Sequence, residues 1–305
     1  MGTLSDKVRE RMRQQAHAAR EGMQGGNRTA PIYDLQGRNA AVKPGESVLG
    51  RLLPRWDIAQ KFVRQGDQWV VNPQYQDDLI YFVALEHWWD DATGKPHREW
   101  CPRTFDEAAP CPLCEVADEL LRAADKDDRA SGKRMGARRS YLFNAVLGRS
   151  GKRQLTEGGK PDIRVLPLGN TLFVAVCGFM TGAGDSEDAA AFARGDISDP
   201  KDGYDVMLTR PANTQGERWQ AQCAPQPSPL YTQAEAAAWA DWMSLLVDLP
   251  AMVEREIRPY DDLYEAYFGE RPPASGDAEE PGSAPVGVPA IPPPSAPPAA
   301  AADPW

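Results

Sequence analysis

Three of the chain's five cysteines fall within fourteen residues, Cys101-Pro-Arg-Thr-Phe-Asp-Glu-Ala-Ala-Pro-Cys111-Pro-Leu-Cys114. Cys111 and Cys114 have Cys-x-x-Cys spacing, which presents two thiolates from one turn, and Pro102 and Pro112 stiffen the loop start and that turn. This donor pattern points to Zn2+, which takes four nitrogen or sulfur ligands at about 2.0–2.3 Å. Three histidines, His17, His87 and His97, compete for the fourth position. His17 lies in a separate N-terminal segment. His87 follows the apolar run Leu79–Leu85, a strand that would hold its ring rigidly, and is the first choice. His97, beside the turn-like Thr93-Gly-Lys-Pro96, is the alternative. A disulfide fits less well, because the odd cysteine count and the missing signal-peptide core point to a reducing compartment. Cys177, in Leu172-Phe-Val-Ala-Val-Cys177, reads as a small buried residue, and Cys223 has no evident role.

The elements that must position these donors are mostly short strands. From Glu46 onward they are expected at 47–53, ending at Pro54, then at 68–71, 79–85, 140–147, 163–166, 172–176, 204–209 and 218–222. A helix runs on from the Cys-x-x-Cys turn over 115–122, with a possible helical turn at 189–192. A long helix is expected over 233–247 and a shorter one over 260–268. No βαβ alternation is present, so the pattern predicts a small barrel, mainly β with added helices, and not a parallel sheet. Residues 1–26 form a basic helical arm, with Ser5 as N-cap and Gly22 as its stop, and 27–45 form a linker. The core spans 46–270. Residues 271–305, rich in Pro and Ala, predict a disordered tail ending Asp303-Pro304-Trp305, a lone aromatic suited to an apolar pocket on a partner.

The net charge is -10, yet the charges are unevenly placed. Residues 1–64 carry 12 Lys and Arg against 6 Asp and Glu, and residues 122–164 carry 12 against 5. Two basic blocks in an acidic protein suit a local polyanion site. No run reaches the roughly 18 apolar residues of a membrane span, and a cytoplasmic location is expected. Aromatics interleave with the cations: Arg51 and Arg55-Trp56 in the first strand, Arg138-Arg139-Ser140-Tyr141-Leu142-Phe143 in a central one, Arg218-Trp219 in the last. Single-stranded nucleic acid is held this way, phosphates neutralised while bases stack on flat rings. Phe105 in the cysteine loop, with Lys133 and Arg134 ahead of the central strand, completes the set of candidate contacts.

These stretches, in order, resemble the single-stranded DNA-binding, or helix-destabilising, proteins of T-even-type bacteriophages. Arg51-Leu-Leu-Pro54 resembles that family's first-strand motif, Phe82–His87 its strand ending in a histidine ligand, and Cys101, Cys111-Pro-Leu-Cys114 its zinc loop. Arg138–Asn144 resembles its Ser-Tyr-x-x-Asn strand, Asp199-Pro-Lys-Asp-Gly203 an Asp-Pro-x-x-Gly turn, and Leu246–Met252 its Val-Asp-Leu-x-x-Met stretch. The resemblance implies an OB-fold barrel with an inserted structural-zinc subdomain over about 87–125, and C-terminal helices. It further implies a DNA cleft lined by Arg, Lys and aromatics, a basic arm that docks on the neighbouring protomer, and a tail that contacts replication and recombination proteins. His87, Cys101, Cys111 and Cys114 are then the zinc ligands, and Arg138, Arg139 and Tyr141 DNA contacts. The histidine-to-cysteine gap is one residue longer than the family's. Leu142 and Phe143 stand where it has Trp and a small residue. The tail is Pro/Ala-rich where the family's is acidic.

The expected function is a cooperative, sequence-tolerant coat for single-stranded DNA in replication, recombination and repair, without catalysis. Neither a nucleophile-base set nor a Walker-type loop occurs in the sequence. Two other classes stay open: a zinc-ribbon regulator that binds duplex DNA or polymerase, and an interaction hub driven by the tail.

Overall fold

The computed structural model describes residues 45–65, 68–72, 79–90, 96–149, 152–182, 193–210 and 219–272. The expected arm, the linker up to residue 44, the turn at 189–192, Arg218 and the tail with Asp303, Pro304 and Trp305 lie outside the described residues. In chain order the strands are β1 (Ser47–Leu52), β2 (Phe62–Gln65), β3 (Gln68–Val71), β4 (Tyr81–Asp90), β5 (Pro96–Trp100), β6 (Arg138–Arg149), β7 (Lys152–Arg153), β8 (Ile163–Leu168), β9 (Asp205–Thr209) and β10 (Gln220–Cys223). The helices are α1 (Pro112–Arg122), α2 (Lys126–Met135), α3 (Asn170–Thr181), α4 (Leu249–Glu256) and α5 (Tyr260–Phe268). The chain divides into two units, residues 1–84 with 139–256 and residues 85–138 with 257–305.

The first unit is an antiparallel sheet. Its strand order is β10-β9-β1-β6-β4, with β7 and β8 also on β6, and β2–β3 form a separate hairpin. The path has two ends, so the paired strands of the described residues form an open sheet where a closed barrel was expected. β9 alternates in the way a half-buried strand must, with Val206 and Leu208 inward. The centre is β6, which is apolar on both faces: Tyr141, Phe143, Ala145 and Leu147 enter the main core, while Val146 joins Leu53, Leu230, Trp239 and Trp242 in another.

Two expected elements of this unit differ. Residues 172–176 are helical, part of α3. Its buried positions Leu172, Phe173, Val176, Cys177 and Met180 repeat at helical spacing, which an unbroken apolar run conceals. Gly182, at φ 66°, ends it in the left-handed conformation. Cys177 is buried there, as expected of it. The long helix expected over 233–247 is instead a series of tight turns, with 3-10 segments at Gln233–Glu235 and Trp242–Leu245. Trp239 and Trp242 are both buried, and at three residues per turn their indoles stay on one side. Beyond them Val247 is tied to β6, donating from its N–H to Asn144 Oδ1 and accepting from Asn144 Nδ2, both at 2.9 Å. Tertiary anchoring thus overrides the helix propensity of an alanine-rich stretch.

The second unit contains the remainder of β4 paired antiparallel with β5, then the cysteine loop, α1, α2 and α5. Helix α2, for which the sequence reading named no element, is capped by Asp125, whose side chain accepts from the Asp127 and Asp128 N–H groups. It crosses α1 so closely that a Cβ at Gly132 would stand 2.9 Å from the Ala117 oxygen and the Leu121 nitrogen.

Candidate metal centre and nucleic-acid interface

Four elements of the second unit bring the donors together. β4 carries His87. β5 delivers the chain to Cys101, whose N–H donates to the Leu85 carbonyl at 2.8 Å, and the Leu85 N–H donates to Thr104 Oγ1 at 2.9 Å, pinning the loop to β4. Cys111 is the N-cap of α1, Pro112 its first residue and Cys114 lies in its first turn, where the helix dipole favours thiolate. His87 Nε2 is 3.4 Å from Cys111 Sγ and 3.5 Å from Cys114 Sγ, and Cys101 Sγ is 3.6 Å from Cys114 Sγ. All four donor atoms lie within 4.8 Å of one another and all four residues are buried.

Those separations fit a cation. A tetrahedron with bonds of about 2.3 Å to sulfur and 2.0 Å to nitrogen has edges of about 3.8 Å between sulfurs and 3.5 Å between nitrogen and sulfur. A disulfide would need sulfurs about 2.05 Å apart, and the three cysteines are free. The electrostatics agree. Burial works against charge on His87, yet Cys101, Cys111 and the Met135 carbonyl outweigh it and push its pKa up to about 10. Cys111 is pushed down, chiefly by hydrogen bonds with Cys101 and Cys114, while those with Cys101 and Cys111 push Cys114 up. Four lone-pair donors this close share protons unless a cation takes their place.

The fourth element is α2. His87 Nδ1 lies 2.8 Å from the carbonyl oxygen of Met135, the last residue of that helix, where carbonyls have no partner within the helix. A proton on Nδ1 satisfies that carbonyl and turns the Nε2 lone pair toward the sulfurs, the arrangement that raises a ligand histidine's basicity. Sequence reasoning missed Met135; the Gly136 that follows a Lys-Arg-Met helix end was the signal. His97 is not in the cluster. It stacks on Trp89, ring centroids 5.3 Å apart and planes at 17°.

The candidate DNA contacts separate into two groups. Lys133, Arg134 and Arg139 are exposed and Arg138 is half-buried. Phe105 is 46% exposed at the end of the 3-10 turn Pro102–Thr104, in a loop that Arg103 holds by donating to the Ala109 carbonyl. Arg55 and Trp56 are half-buried, with Arg55 paired to Asp57 at 2.8 Å and lying 4.7 Å over the Trp56 ring. By contrast Tyr141, Phe143 and Trp219 belong to the main core, Tyr141 stacked on Phe173 at 3.6 Å, so their rings offer no face to a base. Arg51 is also corrected. At 1% exposure its guanidinium faces Asp205, Ser228 and the Asp199 carbonyl, and it joins β1 to the Asp199–Gly203 turn. That turn has no room for a side chain at Gly203, where a Cβ would meet the Asp199 oxygen at 2.3 Å. Among the described acidic groups of 196–205, Asp196 and Asp199 accept turn N–H groups and Asp205 pairs with Arg51 and Arg153.

An antiparallel sheet protein with a buried Cys3His cluster is the class that fold and site define. Residues 45–263 match the family described as gp32 DNA binding protein like, and the chain belongs to that family. No curated protein matches it. No helix among the described residues is long and apolar enough to cross a membrane.

Proposed function

We propose that the protein is a sequence-tolerant coat for single-stranded DNA, acting in replication, recombination and repair. Membership of a DNA-binding family over residues 45–263 carries this reading. The exposed Lys133, Arg134 and Arg139 and the half-buried Arg138, with Phe105 exposed in the cysteine loop, support it. Cations that meet phosphates and a ring that stacks on a base are what single strands require, and neither selects a sequence. The sheet is read as an OB-type scaffold. The ion is read as one structural Zn2+ on His87, Cys101, Cys111 and Cys114: with four protein ligands the sphere is full and no position remains for a catalytic water. No catalytic role is assigned to any residue. The basic arm is read as the site of cooperative contact between protomers, and the tail ending in Trp305 as the segment that engages replication proteins.

The test is fluorescence anisotropy of labelled oligo-dT against labelled duplex, at low and high salt, with and without a zinc chelator. Tight, salt-sensitive binding to the single strand that weakens on chelation is expected. Equal or better binding to duplex refutes the reading.

A further inference from the structure

We infer that helix α5 is the lid of the metal centre, so that residues some 150 positions beyond the cysteine loop set how firmly the ion is held. The inference rests on the metal reading of the four donors. Leu263, on α5, is fully buried and packs in one cluster with Cys101, Cys111, Cys114, Leu113 and Trp89. One turn on, the Tyr267 ring stands edge-on to Trp89 at 6.3 Å, and its hydroxyl donates to Met135 Sδ at 3.5 Å. Met135 is the residue whose carbonyl meets His87 Nδ1. Tyr267 and the ligand histidine therefore hold one residue from its two ends. At the start of the helix, Tyr260 donates to Glu115 Oε2 at 2.7 Å, next to Cys114, and Arg258 pairs with Glu99 on β5 at 3.0 Å. The C-terminal segment thus touches β4, β5, α1 and α2, every element that carries or orients a ligand.

A buried ion leaves only when a wall opens, and the wall that opens is the one held least firmly. β4 and β5 are locked in a ladder. α1 carries two ligands and is locked to α2 at Gly132. α5 carries no ligand and, among the described residues, is held by side chains (Leu263, Tyr267 and Tyr260), which makes it the wall whose opening sets the rate of metal exchange. Leu263 seals the centre, and Tyr267 is a positioning residue acting through Met135.

The full chain loaded with one equivalent of Zn2+ is mixed with excess colorimetric chelator and the release rate recorded. Leu263→Ala should release zinc roughly thirtyfold faster or more, the consequence of a large-to-small core substitution on a local opening equilibrium. Tyr267→Phe, which removes one hydroxyl, should release it severalfold faster, and Leu263→Met should restore a rate near that of the parent. In all of them the rate should become independent of chelator concentration at high chelator, the mark of a gate opening ahead of capture. In the Co2+-loaded protein, Tyr267→Phe should shift the visible absorption that reports the ligand field at His87. A chain that takes up no zinc refutes the metal reading itself. A chain that takes up one equivalent, yet releases it at the parental rate in both Leu263→Ala and Tyr267→Phe, overturns the lid and leaves the metal reading standing. If Leu263→Ala does not fold, the Tyr267→Phe rate decides.

Discussion

Replacing Arg51 with methionine removes a guanidinium that serves several oxygens at once. Nε donates to Asp205 Oδ1 at 3.0 Å, Nη2 to both the carbonyl and the hydroxyl of Ser228 at 2.7 Å, and Nη1 to the Asp199 carbonyl at 3.3 Å. Burial lowers the pKa of this group, while Asp205 raises it. Removing one partner of a buried ion pair costs about 3–5 kcal/mol. Asp205 is 20% exposed and keeps Arg153 at 3.0 Å, so it is not stranded, and the loss falls near the lower end, about 3 kcal/mol. With a denaturant slope of about 3 kcal/mol per molar, the urea midpoint should drop by about 1 M. The companion measurement is the affinity for oligo-dT at several salt concentrations. A residue that contacts phosphate contributes about 0.7 to the slope of log K against log salt on a single strand. Arg51→Met should leave that slope unchanged while the midpoint falls. A midpoint equal to the parent's, together with a slope shallower by about 0.7, would refute the internal role and return Arg51 to the DNA.

Arg134→Ala and Arg139→Ala should do the reverse, each flattening the salt slope by about 0.7 with the unfolding free energy held within about 0.5 kcal/mol, because both side chains are exposed. Cys111→Ser should abolish stoichiometric zinc uptake, read by metal analysis of the purified protein, since it removes one donor of the cluster, which is also the N-cap of α1. Gly132→Ala should lower the thermal midpoint of the zinc-loaded protein. The new Cβ has backbone at 2.9 Å, and overpacking of about 1–3 kcal/mol exceeds the helix-propensity gain of about 1 kcal/mol. Asn144→Ala strands the Val247 N–H and carbonyl, each now bonded at 2.9 Å, and should cost about 2–3 kcal/mol in urea unfolding.

The Cys3His cluster was legible because it is written in local spacing: Cys111 and Cys114 fall on one turn and Cys101 on the loop before it. What the sequence left open, His87 or His97, is decided by strand register. Residues 87 and 89 share a face of β4, and the β5 register puts His97 opposite Trp89, where it stacks. The candidate DNA contacts were legible only as residue types. Charge and aromaticity can be read at a position; burial depends on partners elsewhere, and those of Arg51 lie 148 to 177 residues away. A signal was available in β6. Leu142 and Val146 are apolar on the face opposite Tyr141 and Phe143, which marks a strand covered on both sides and makes its rings core. The failed helix at 233–247 has the same cause, since Asn144, about a hundred residues away, holds Val247 by its backbone.

The cations that remain on the surface of the second unit are tied to the Cys3His cluster by a short covalent route. Lys133 and Arg134 immediately precede Met135 and Arg138 follows it by three residues, while the Met135 carbonyl is held by His87. An ion that fixes His87 therefore fixes the end of α2, and the end of α2 sets where those charges stand. Removing the ion leaves the charges on the chain but releases their placement. The salt slope counts phosphates neutralised, whereas the affinity at a given salt also reflects how well the cations are placed beforehand. Chelated protein should therefore bind oligo-dT more weakly at every salt concentration with a slope close to that of the loaded form. A slope that collapses on chelation would mean that contacts themselves are lost. An affinity that does not change would mean that the metal centre has no part in presenting the cations.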